Sequence, residues 1–277
     1  MYNKTILIIG GTGTLGTALI DELIKQDVWS IRIFARDEYR MWKVKQKYED
    51  HSKLRYFIGD IRDKDRLNLV FENVDIAINC AAMKHVSMCN ESPFESLKTN
   101  VIGVQNALEC AIKNNIKIFV QISTDKAVNP ENIYGCTKLM SEYLVLDAPN
   151  WQGKNRTKFI IIRSGNIAES SGSVLEIWKN QYCENKPLTV TNLEAERYIA
   201  SKEQIASAII KIIPEASNGL YILNMPKVKV KDLLNQFDNP EIKITGLLTG
   251  EKMSEELYRK NEKCTIINVV ENRGDDR

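Results

Sequence analysis

Short apolar runs separated by amphipathic segments dominate the first 166 residues of the chain. The runs lie at residues 5–9, 31–35, 53–58, 74–79, 116–122 and 159–162. Between them, apolar residues recur at helical spacing, as at Leu15, Leu19 and Leu23. Buried parallel strands are continuous apolar runs. This alternation predicts an α/β fold with a doubly wound parallel sheet and a functional site at the carboxyl ends of its strands.

The pattern changes to short elements after residue 166. We predict a smaller substrate-binding lobe from residues 167–200 and 225–277, with elements at 174–181, 188–191 and 232–260. A helix at 202–213 and a strand at 220–223 are expected to return residues 201–224 to the main sheet. The charged tail 271–277 is expected to fray.

A glycine-rich turn follows the first apolar run. Gly10, Gly13 and Gly16 lie directly after the strand and directly before the helix. In this context glycines allow a tight turn, and backbone N–H groups can approach a pyrophosphate at the start of the helix. The motif therefore predicts that residues 1–166 form a Rossmann-type dinucleotide-binding domain, although a purely structural turn is the alternative.

The end of the second run bears on the choice of dinucleotide. Arg36 and Arg40 stand where an acidic residue would bind the ribose hydroxyls of NAD, and a guanidinium there can pair with the extra phosphate of NADP. We therefore predict NADP. Asp37 keeps NAD as a less favoured alternative, and the two arginines could also be solvated side chains at a helix start.

Two further strand ends are predicted to contact the cofactor. Asp60 follows the third run, where a carboxylate can meet the adenine ring, although a plain loop aspartate is the alternative. Ala81 and Ala82 follow the fourth run, and their small side chains allow the backbone to lie against the cofactor.

Composition and charge exclude several other classes of function. A net charge of +2 and a pI near 8.1 give no basic field for nucleic-acid binding. No apolar run is long enough to cross a bilayer and no signal-type segment appears, so we expect a cytoplasmic protein. The six cysteines lack C-x-x-C spacing and only two histidines are present, so we expect reduced thiols and no metal site.

The richest chemistry lies at residues 121–139, where the fifth run ends in polar residues and a helix is predicted to follow. Tyr134 and Lys138 are four residues apart and share a helical face, toward which the strand end can bring Thr124 and Asp125. Three other Tyr–Lys pairs in the chain have the same spacing, so context alone distinguishes this one. The alternative for Asp125 and Lys126 is an ion pair that caps the strand.

Taken in order, these motifs resemble the extended short-chain dehydrogenase/reductase superfamily. Within it, the chain resembles the polysaccharide-biosynthesis branch, especially the inverting UDP-N-acetylglucosamine 4,6-dehydratases. The residues that carry the resemblance are the glycine turn, NCAAMKHV at 79–86, KTNV at 98–101, STDKAVNP at 123–130 and YGCTK at 134–138. The resemblance covers most of the chain and is strongest from residue 1 to 175.

The resemblance implies a lyase that converts UDP-N-acetylglucosamine to a UDP-2-acetamido-2,6-dideoxy-4-hexulose. Carbon 4 of the sugar is oxidised transiently, water is eliminated across carbons 5 and 6, and hydride returns to carbon 6. Tyr134 takes the proton of the 4-hydroxyl, Thr124 hydrogen-bonds to that hydroxyl, and the Lys138 ammonium favours the phenolate. Lys126 is the implied base at carbon 5, and Asp125 is the implied acid for the departing 6-hydroxyl.

The resemblance also implies binding residues and a partner. The cofactor contacts are Gly10, Thr12, Gly13, Thr14, Leu15, Gly16, Arg36, Arg40, Asp60, Ile61, Ala81, Ala82, Lys84, Asn100, Tyr134 and Lys138. The substrate contacts are Lys84, His85, Asn166, Arg197 and Glu251, with packing as an equal alternative for His85. We expect a UDP-sugar as partner and a homo-oligomer.

The later segments depart from the family pattern. Residues 163–167 read RSGNI where the family has Arg-Gly-Asn-Val, and residues 248–252 read LTGEK where it has Arg-Pro-Gly-Glu-Lys. Two alternatives therefore stay open. One is a UDP-hexose or UDP-N-acetylhexosamine 4-epimerase, which shares the tyrosine and lysine, and the other is a non-catalytic NADP-binding regulatory protein.

Overall fold

The structure, a computed structural model, describes residues 1–49, 51–154 and 156–269. The strands are β1 Thr5–Ile9, β2 Ser30–Ala35, β3 Leu54–Ile58, β4 Ile76–Asn79, β5 Ile118–Thr124, β6 Lys158–Ser164, β7 Asn166–Ile167, β8 Leu188–Val190, β9 Glu196–Ala200, β10 Gly219–Asn224, β11 Lys227–Lys229, β12 Ile242–Ile244 and β13 Thr265–Asn268. The α-helices are α1 Thr14–Ile24, α2 Glu38–Lys47, α3 Lys64–Phe71, α4 Val86–Glu91, α5 Pro93–Leu97, α6 Gly103–Lys113, α7 Ile133–Trp151, α8 Val174–Cys183, α9 Lys202–Ile212 and α10 Val230–Leu233. A π-helical turn spans Lys98–Ile102, and 3₁₀ turns span Asp125–Ala127 and Leu234–Gln236. The tail 271–277 that was expected to fray lies outside the described residues.

One large parallel sheet organises the molecule, and the predicted fold class is confirmed. Its eight strands run in the order β13-β10-β6-β5-β4-β1-β2-β3, and every neighbouring pair is parallel. The order reverses between β1 and β4, so the cleft outside their carboxyl ends is the expected ligand position. The strand Thr265–Asn268 corrects the predicted lobe, because it forms an edge of this sheet beside β10.

Two apolar layers cover the faces of the sheet. One packs α1 and α9 against the sheet through residues such as Leu19 and Ile209, both fully buried. The other packs α3 and α6 through residues such as Leu67 and Leu108. Burial of such side chains stabilises the fold by about 1.5–3 kcal/mol each. The sheet is therefore a rigid platform for side chains at its edge.

The smaller elements collect beyond the carboxyl edge of the large sheet. The strands β7, β9 and β11 form a three-stranded sheet, and β8 pairs with β12. A separate apolar cluster forms around the fully buried Trp178 of α8, together with Leu188, Val190 and Leu234. These elements have their own core and face the edge at which the polar residues of the main sheet lie.

Helix α7 buries a face that its apolar residues did not indicate. The apolar residues Leu139, Tyr143 and Leu146 recur at helical spacing in the sequence, yet Tyr143 and Leu146 are exposed. The buried face instead carries polar side chains, among them Lys138 and Glu142. The second half of this face also packs Val145 and Ala148 into the apolar core, so both polar and apolar contacts place the helix.

Candidate active site

A cleft of about 1240 Å³ opens along the carboxyl ends of the central strands. It is larger than most small-ligand pockets, which have volumes of about 300–1,000 Å³, and so it can take a dinucleotide and a second ligand together. Every residue predicted for the site lines the cleft except Asn100 and Asp125. The structure therefore brings together residues from both ends of the chain.

The glycine turn between β1 and α1 forms one end of the cleft. The N-cap of α1 is Gly13, which offers no side chain to the free N–H groups, and no acidic residue occupies the first turn. At Gly10, with φ of +82°, an added Cβ would lie 2.7 Å from the backbone nitrogen of Ala81. Open N–H groups and a backbone without side chains fit the pyrophosphate of a dinucleotide.

The side chains beyond β2 and β3 line the end of the cleft at which the adenosine is expected. Arg36 and Arg40 are exposed and line it, whereas the Asp37 carboxylate accepts a hydrogen bond from the Arg40 backbone N–H at 2.9 Å and caps α2. Burial works against ionisation of Asp60, yet hydrogen bonds from Arg62 lower its pKa. Two cations and a fixed carboxylate therefore surround the position expected for the adenosine.

Asn100 has a supporting role that the sequence did not predict. It was expected to contact the cofactor, but it is 1% exposed and lies behind the cleft. Its amide accepts from the backbone N–H of Met83 at 2.8 Å and donates to Met83 O at 3.0 Å and to Thr137 Oγ1 at 3.1 Å. Asn100 thus ties the loop after Ala82 to α7, because a buried amide needs these partners.

Tyr134 and Lys138 lie one turn apart on the buried face of α7. Burial raises the pKa of the Tyr134 phenol, a hydrogen bond with Thr124 lowers it, and Asp125 raises it further. Burial lowers the pKa of Lys138 to about 8, although the negative charge of the nearby Glu142 acts to raise it. The Lys138 ammonium donates to Ile122 O at 2.6 Å.

Local sequence positions these residues. The Asn132 side chain accepts from the Gly135 backbone N–H at 2.8 Å and fixes the start of α7. A Cβ at Gly135 would lie 2.2 Å from the backbone oxygen of Lys126, so only glycine allows the helix to approach this turn. Tyr134 and the strand end are therefore held against each other.

Lys126 stands at the centre of the substrate side. Its ammonium donates to Asp125 Oδ1 and to Asn166 Oδ1, both at 3.1 Å. Asp125 also accepts from Thr124 Oγ1 at 2.8 Å. Asp125 is fully buried and, contrary to the expectation that it faces substrate, does not line the cleft. The 3₁₀ turn points Lys126 outward and Asp125 inward.

Two of the predicted substrate contacts, Arg197 and Glu251, are paired with each other. Arg197 Nη2 lies 2.7 Å from Glu251 Oε1, which also accepts from Thr191 Oγ1 at 3.1 Å. At the other wall, burial and the charges of Lys84 and Arg40 lower the pKa of His85. These groups line the lobe side of the cleft, where a second ligand would lie beside the dinucleotide.

One lining residue was missed by the sequence reasoning. The Glu255 side chain is 3% exposed, and its Oε1 lies 3.9 Å from Lys126 Nζ. The motif at residues 248–252 lies just before it, but no local signal separates Glu255 from its exposed neighbour Glu256. Only the fold identifies which of the two carboxyls enters the cleft.

The described residues hold no group of three or more His, Cys, Asp or Glu side chains arranged for a metal ion. The six cysteines, all within the described ranges, are free thiols. Across residues 1–49, 51–154 and 156–269, no helix has the length and apolar character needed to span a bilayer.

Comparison with known proteins adds to this geometry. Residues 6–272 match the family described as polysaccharide biosynthesis protein. An uncharacterized membrane protein of Methanocaldococcus jannaschii is 40% identical over 94% of this chain and 82% of its own length. A UDP-N-acetylglucosamine 4,6-dehydratase (inverting) of Campylobacter jejuni is 37% identical over 92% of this chain and 78% of its own. A UDP-glucose 4-epimerase of Rickettsia massiliae is 32% identical over 94% of this chain and 79% of its own length.

A solved structure is similar over the same extent. Pen from Bacillus thuringiensis superposes with a TM-score of 0.90 at 38% sequence identity, covering 93% of this chain and 84% of its own. The likeness therefore extends through the main sheet and into the smaller elements.

Proposed function

The chain belongs to the polysaccharide biosynthesis protein family, a branch of the extended short-chain dehydrogenases/reductases, and we propose that it is a nucleotide-sugar 4,6-dehydratase. The substrate is UDP-N-acetylglucosamine, and the product is a UDP-2-acetamido-2,6-dideoxy-4-hexulose. The observation that carries this proposal is Lys126, held by Asp125 and Asn166 in the cleft beside Tyr134. Elimination of water needs such a second acid/base group in addition to the redox set.

The proposed cofactor is NADP, with NAD less favoured. Its pyrophosphate would bind the glycine turn, and Arg36 and Arg40 would pair with the extra phosphate. Lys138 would hold the nicotinamide ribose. When bound, the nicotinamide dinucleotide accepts hydride from carbon 4 and returns it to carbon 6. The open start of α1 and the Gly10 contact support this placement.

The side chains divide the proton transfers between them. Tyr134 takes the proton of the 4-hydroxyl, while Thr124 holds both the phenol and that hydroxyl. The resulting ketone makes the carbon-5 proton acidic, and Lys126 takes that proton as the free amine, after its ammonium has released a proton to solvent in the cleft. A carboxylic acid beside Lys126 then protonates the departing 6-hydroxyl. Asp125, which the resemblance assigned to this role, is one of two carboxyls next to Lys126.

The surroundings of the site complete the proposal. We propose that residues 167–200 and 225–264 form the lobe that binds the UDP-sugar, with Lys84, His85, Asn166, Arg197 and Glu251 as contacts. The cytoplasmic location and the homo-oligomer remain predictions from the sequence.

The proposal is tested by incubating the protein with UDP-N-acetylglucosamine and a panel of other UDP- and dTDP-sugars, with NADP or NAD. Mass spectrometry should detect loss of one water from the UDP-N-acetylglucosamine product. Formation of the carbon-4 epimer without loss of water would instead establish the 4-epimerase, which is favoured by the similarity to the Rickettsia enzyme. No turnover with bound dinucleotide would favour a regulatory protein.

A further inference from the structure

The buried face of α7 continues beyond Tyr134 and Lys138 to a carboxylate. Glu142 lies one turn after Lys138 on the same face and is 2% exposed. It does not line the cleft, so it is not placed to contact a cofactor or a substrate. A charge with this degree of burial costs free energy unless it is paired and hydrogen-bonded, so its partners show what it does.

The partners of Glu142 connect it to the strand that holds Lys138. The fully buried Arg163 of β6 donates to the Glu142 carboxylate twice, from Nε at 3.0 Å and from Nη2 at 2.6 Å. The Ser123 hydroxyl donates to Oε1 of the same carboxylate. The preceding residue of β5 is Ile122, whose carbonyl accepts from the Lys138 ammonium at 2.6 Å. Consecutive residues of one strand therefore fix the carboxylate and the ammonium relative to each other.

A second carboxylate keeps Arg163 from cancelling the charge of Glu142. Glu262 pairs with Arg163 at 2.7 Å. Burial acts to raise the pKa of Glu262, but hydrogen bonds from Arg163 and Arg259 lower it to about 2, so this carboxyl is ionised. The triad of Glu142, Arg163 and Glu262 thus combines two carboxylates with one guanidinium and carries a net negative charge. The side chain of Arg259 is 30% exposed, so solvent screens its charge more strongly.

Glu142 is the main negative charge that acts on Lys138. Within the described residues, the groups that raise the pKa of Lys138 against its burial are Glu142 and Cys80, of which Glu142 has the larger effect. Burial raises the pKa of Cys80 to about 12, so Cys80 is a neutral thiol at the pH at which Lys138 titrates. The carboxylate of Glu142 therefore opposes the cost of burying the ammonium.

The other ionisable groups near this face add little net charge. Burial raises the pKa of the Tyr134 phenol, which is therefore neutral in the resting protein. Asp125 and Lys126 of the 3₁₀ turn pair with each other at 3.1 Å, so their effects at a distance oppose one another. The net charge that faces Lys138 from the protein interior is thus that of the triad.

We propose that Glu142 is a positioning residue that keeps Lys138 as an ammonium, while Arg163 and Glu262 hold its carboxylate in place. An ammonium supplies a positive charge beside Tyr134 and favours its phenolate, whereas a neutral amine supplies none. The triad therefore connects residues near the end of the described chain to the oxidation step. This inference rests on the redox role proposed for Lys138 and deepens it.

Substitutions of opposite charge within the triad separate an electrostatic effect from a structural one. Glu142→Gln removes a negative charge, and Arg163→Met removes a positive charge from the same pair. NMR of the ¹³C-lysine-labelled protein without cofactor follows the titration of Lys138, whose signal is assigned by its loss in Lys138→Met. From the wild-type midpoint of about 8, we expect Glu142→Gln to lower the midpoint by about one pH unit and Arg163→Met to raise it.

Matched variants control for the loss of buried contacts. Glu142→Asp keeps the charge and should recover most of the wild-type midpoint. Glu262→Gln should lower the midpoint by less than Glu142→Gln, because Glu262 acts through Arg163. Asp147→Asn removes an exposed carboxylate of the same helix and should leave the midpoint unchanged. Thermal unfolding checks each fold, and the pair Glu142→Gln and Glu142→Asp decides the test if Arg163→Met does not fold.

Activity gives a second measurement on the same variants. The basic limb of kcat/KM for oxidation of UDP-N-acetylglucosamine should move with the Lys138 midpoint, so Glu142→Gln should be about tenfold slower than wild type at pH about 9. A midpoint that falls in both Glu142→Gln and Arg163→Met would overturn the inference, because a structural role does not depend on the sign of the charge. A midpoint unchanged in Glu142→Gln would overturn it as well. Shifted midpoints in a protein that turns over no nucleotide sugar would support the inference and reject the proposed function.

Discussion

Two halves of the cleft are built in different ways. The half proposed for the redox step, Thr124, Tyr134 and Lys138, comes from one strand end and the helix that follows it; it is called the redox half below. The elimination half brings Lys126 from the same stretch to Asn166 of β7 and to Glu255 near the end of the described chain. The first half depends on local geometry, whereas the second depends on contacts between distant segments. Related proteins can therefore share oxidation at carbon 4 and still differ in the reaction that follows.

The largest effect is expected for Tyr134→Phe, because loss of the phenol stops oxidation and every later step. We expect turnover to fall toward the upper end of the 10²–10⁴-fold range, about 10⁴-fold, with dinucleotide affinity retained. Steady-state product formation and dinucleotide titration check this. Tyr143→Phe, on the exposed face of the same helix, is the control. Retained turnover in Tyr134→Phe would remove this residue from the redox half.

Lys126→Met is expected to separate the two halves. Release of water should fall by about 10²–10³-fold, while reduced nicotinamide still forms, because the base is needed only after oxidation. Mass spectrometry follows the product, and absorbance follows the reduced dinucleotide. Lys98→Met removes an exposed lysine that pairs with Glu95 and serves as control. Loss of oxidation together with elimination would contradict the division of the cleft.

Arg163→Met tests the ion-pair network of Arg163 with Glu142 and Glu262. Arg163 also donates to the carbonyl of Leu257 and so anchors residues 253–257. The buried guanidinium pairs with Glu142 at 2.6 Å and with Glu262 at 2.7 Å. Removing it takes away the cation that Glu142 and Glu262 share and leaves the buried Glu142 without an ion-pair partner, so the free energy of unfolding should fall by about 3–5 kcal/mol in urea titration. Arg259→Met breaks a more exposed pair with the same Glu262 and should cost about 1 kcal/mol or less. Equal costs would show that the network does not anchor this segment.

The redox half should depend on pH through Lys138. Burial lowers the pKa of Lys138 to about 8, so this lysine loses its charge as pH rises through that value. The kcat/KM for oxidation should then decline about tenfold per pH unit above it, since this parameter reports the free enzyme. In the unfolded chain the lysine pKa is about 10.4, so its contribution to stability is complete above that value and lost as pH falls through the folded value. A flat profile from pH about 7 to 10 would contradict this prediction.

The smallest effect is expected at the adenosine end. Arg36→Ala should weaken NADP affinity by about 10–100-fold, the loss of a charge-assisted hydrogen bond, and should leave NAD affinity unchanged. Isothermal titration with both dinucleotides measures this. Lys43→Ala on α2, which does not line the cleft, is the control. Equal weakening of both dinucleotides would contradict the NADP preference.

The central strands, helix α7 and two polar residues show which features of the fold and of the site could be predicted from the sequence. The six apolar runs predicted central strands because a buried parallel strand is apolar on both faces. Helical spacing predicted α7 but not its buried face, since Lys138 and Glu142 are buried through contacts with other segments. Asn100 was predicted to contact the cofactor and Asp125 to face the substrate, but neither side chain lines the cleft. Whether a polar side chain faces a ligand or supports its neighbours depends on atoms outside its own segment.

The sequence by itself determined the parallel sheet, the glycine turn and the shared helical face of Tyr134 and Lys138, because strand alternation, helical spacing and backbone sterics act over a few residues. Tertiary structure alone decided that Glu255 enters the cleft while Glu256 stays exposed. The two residues have the same chemistry and are adjacent in the chain. Their difference arises from the contacts that hold residues 253–257 against β9 and Arg163, which are formed only when the chain is folded.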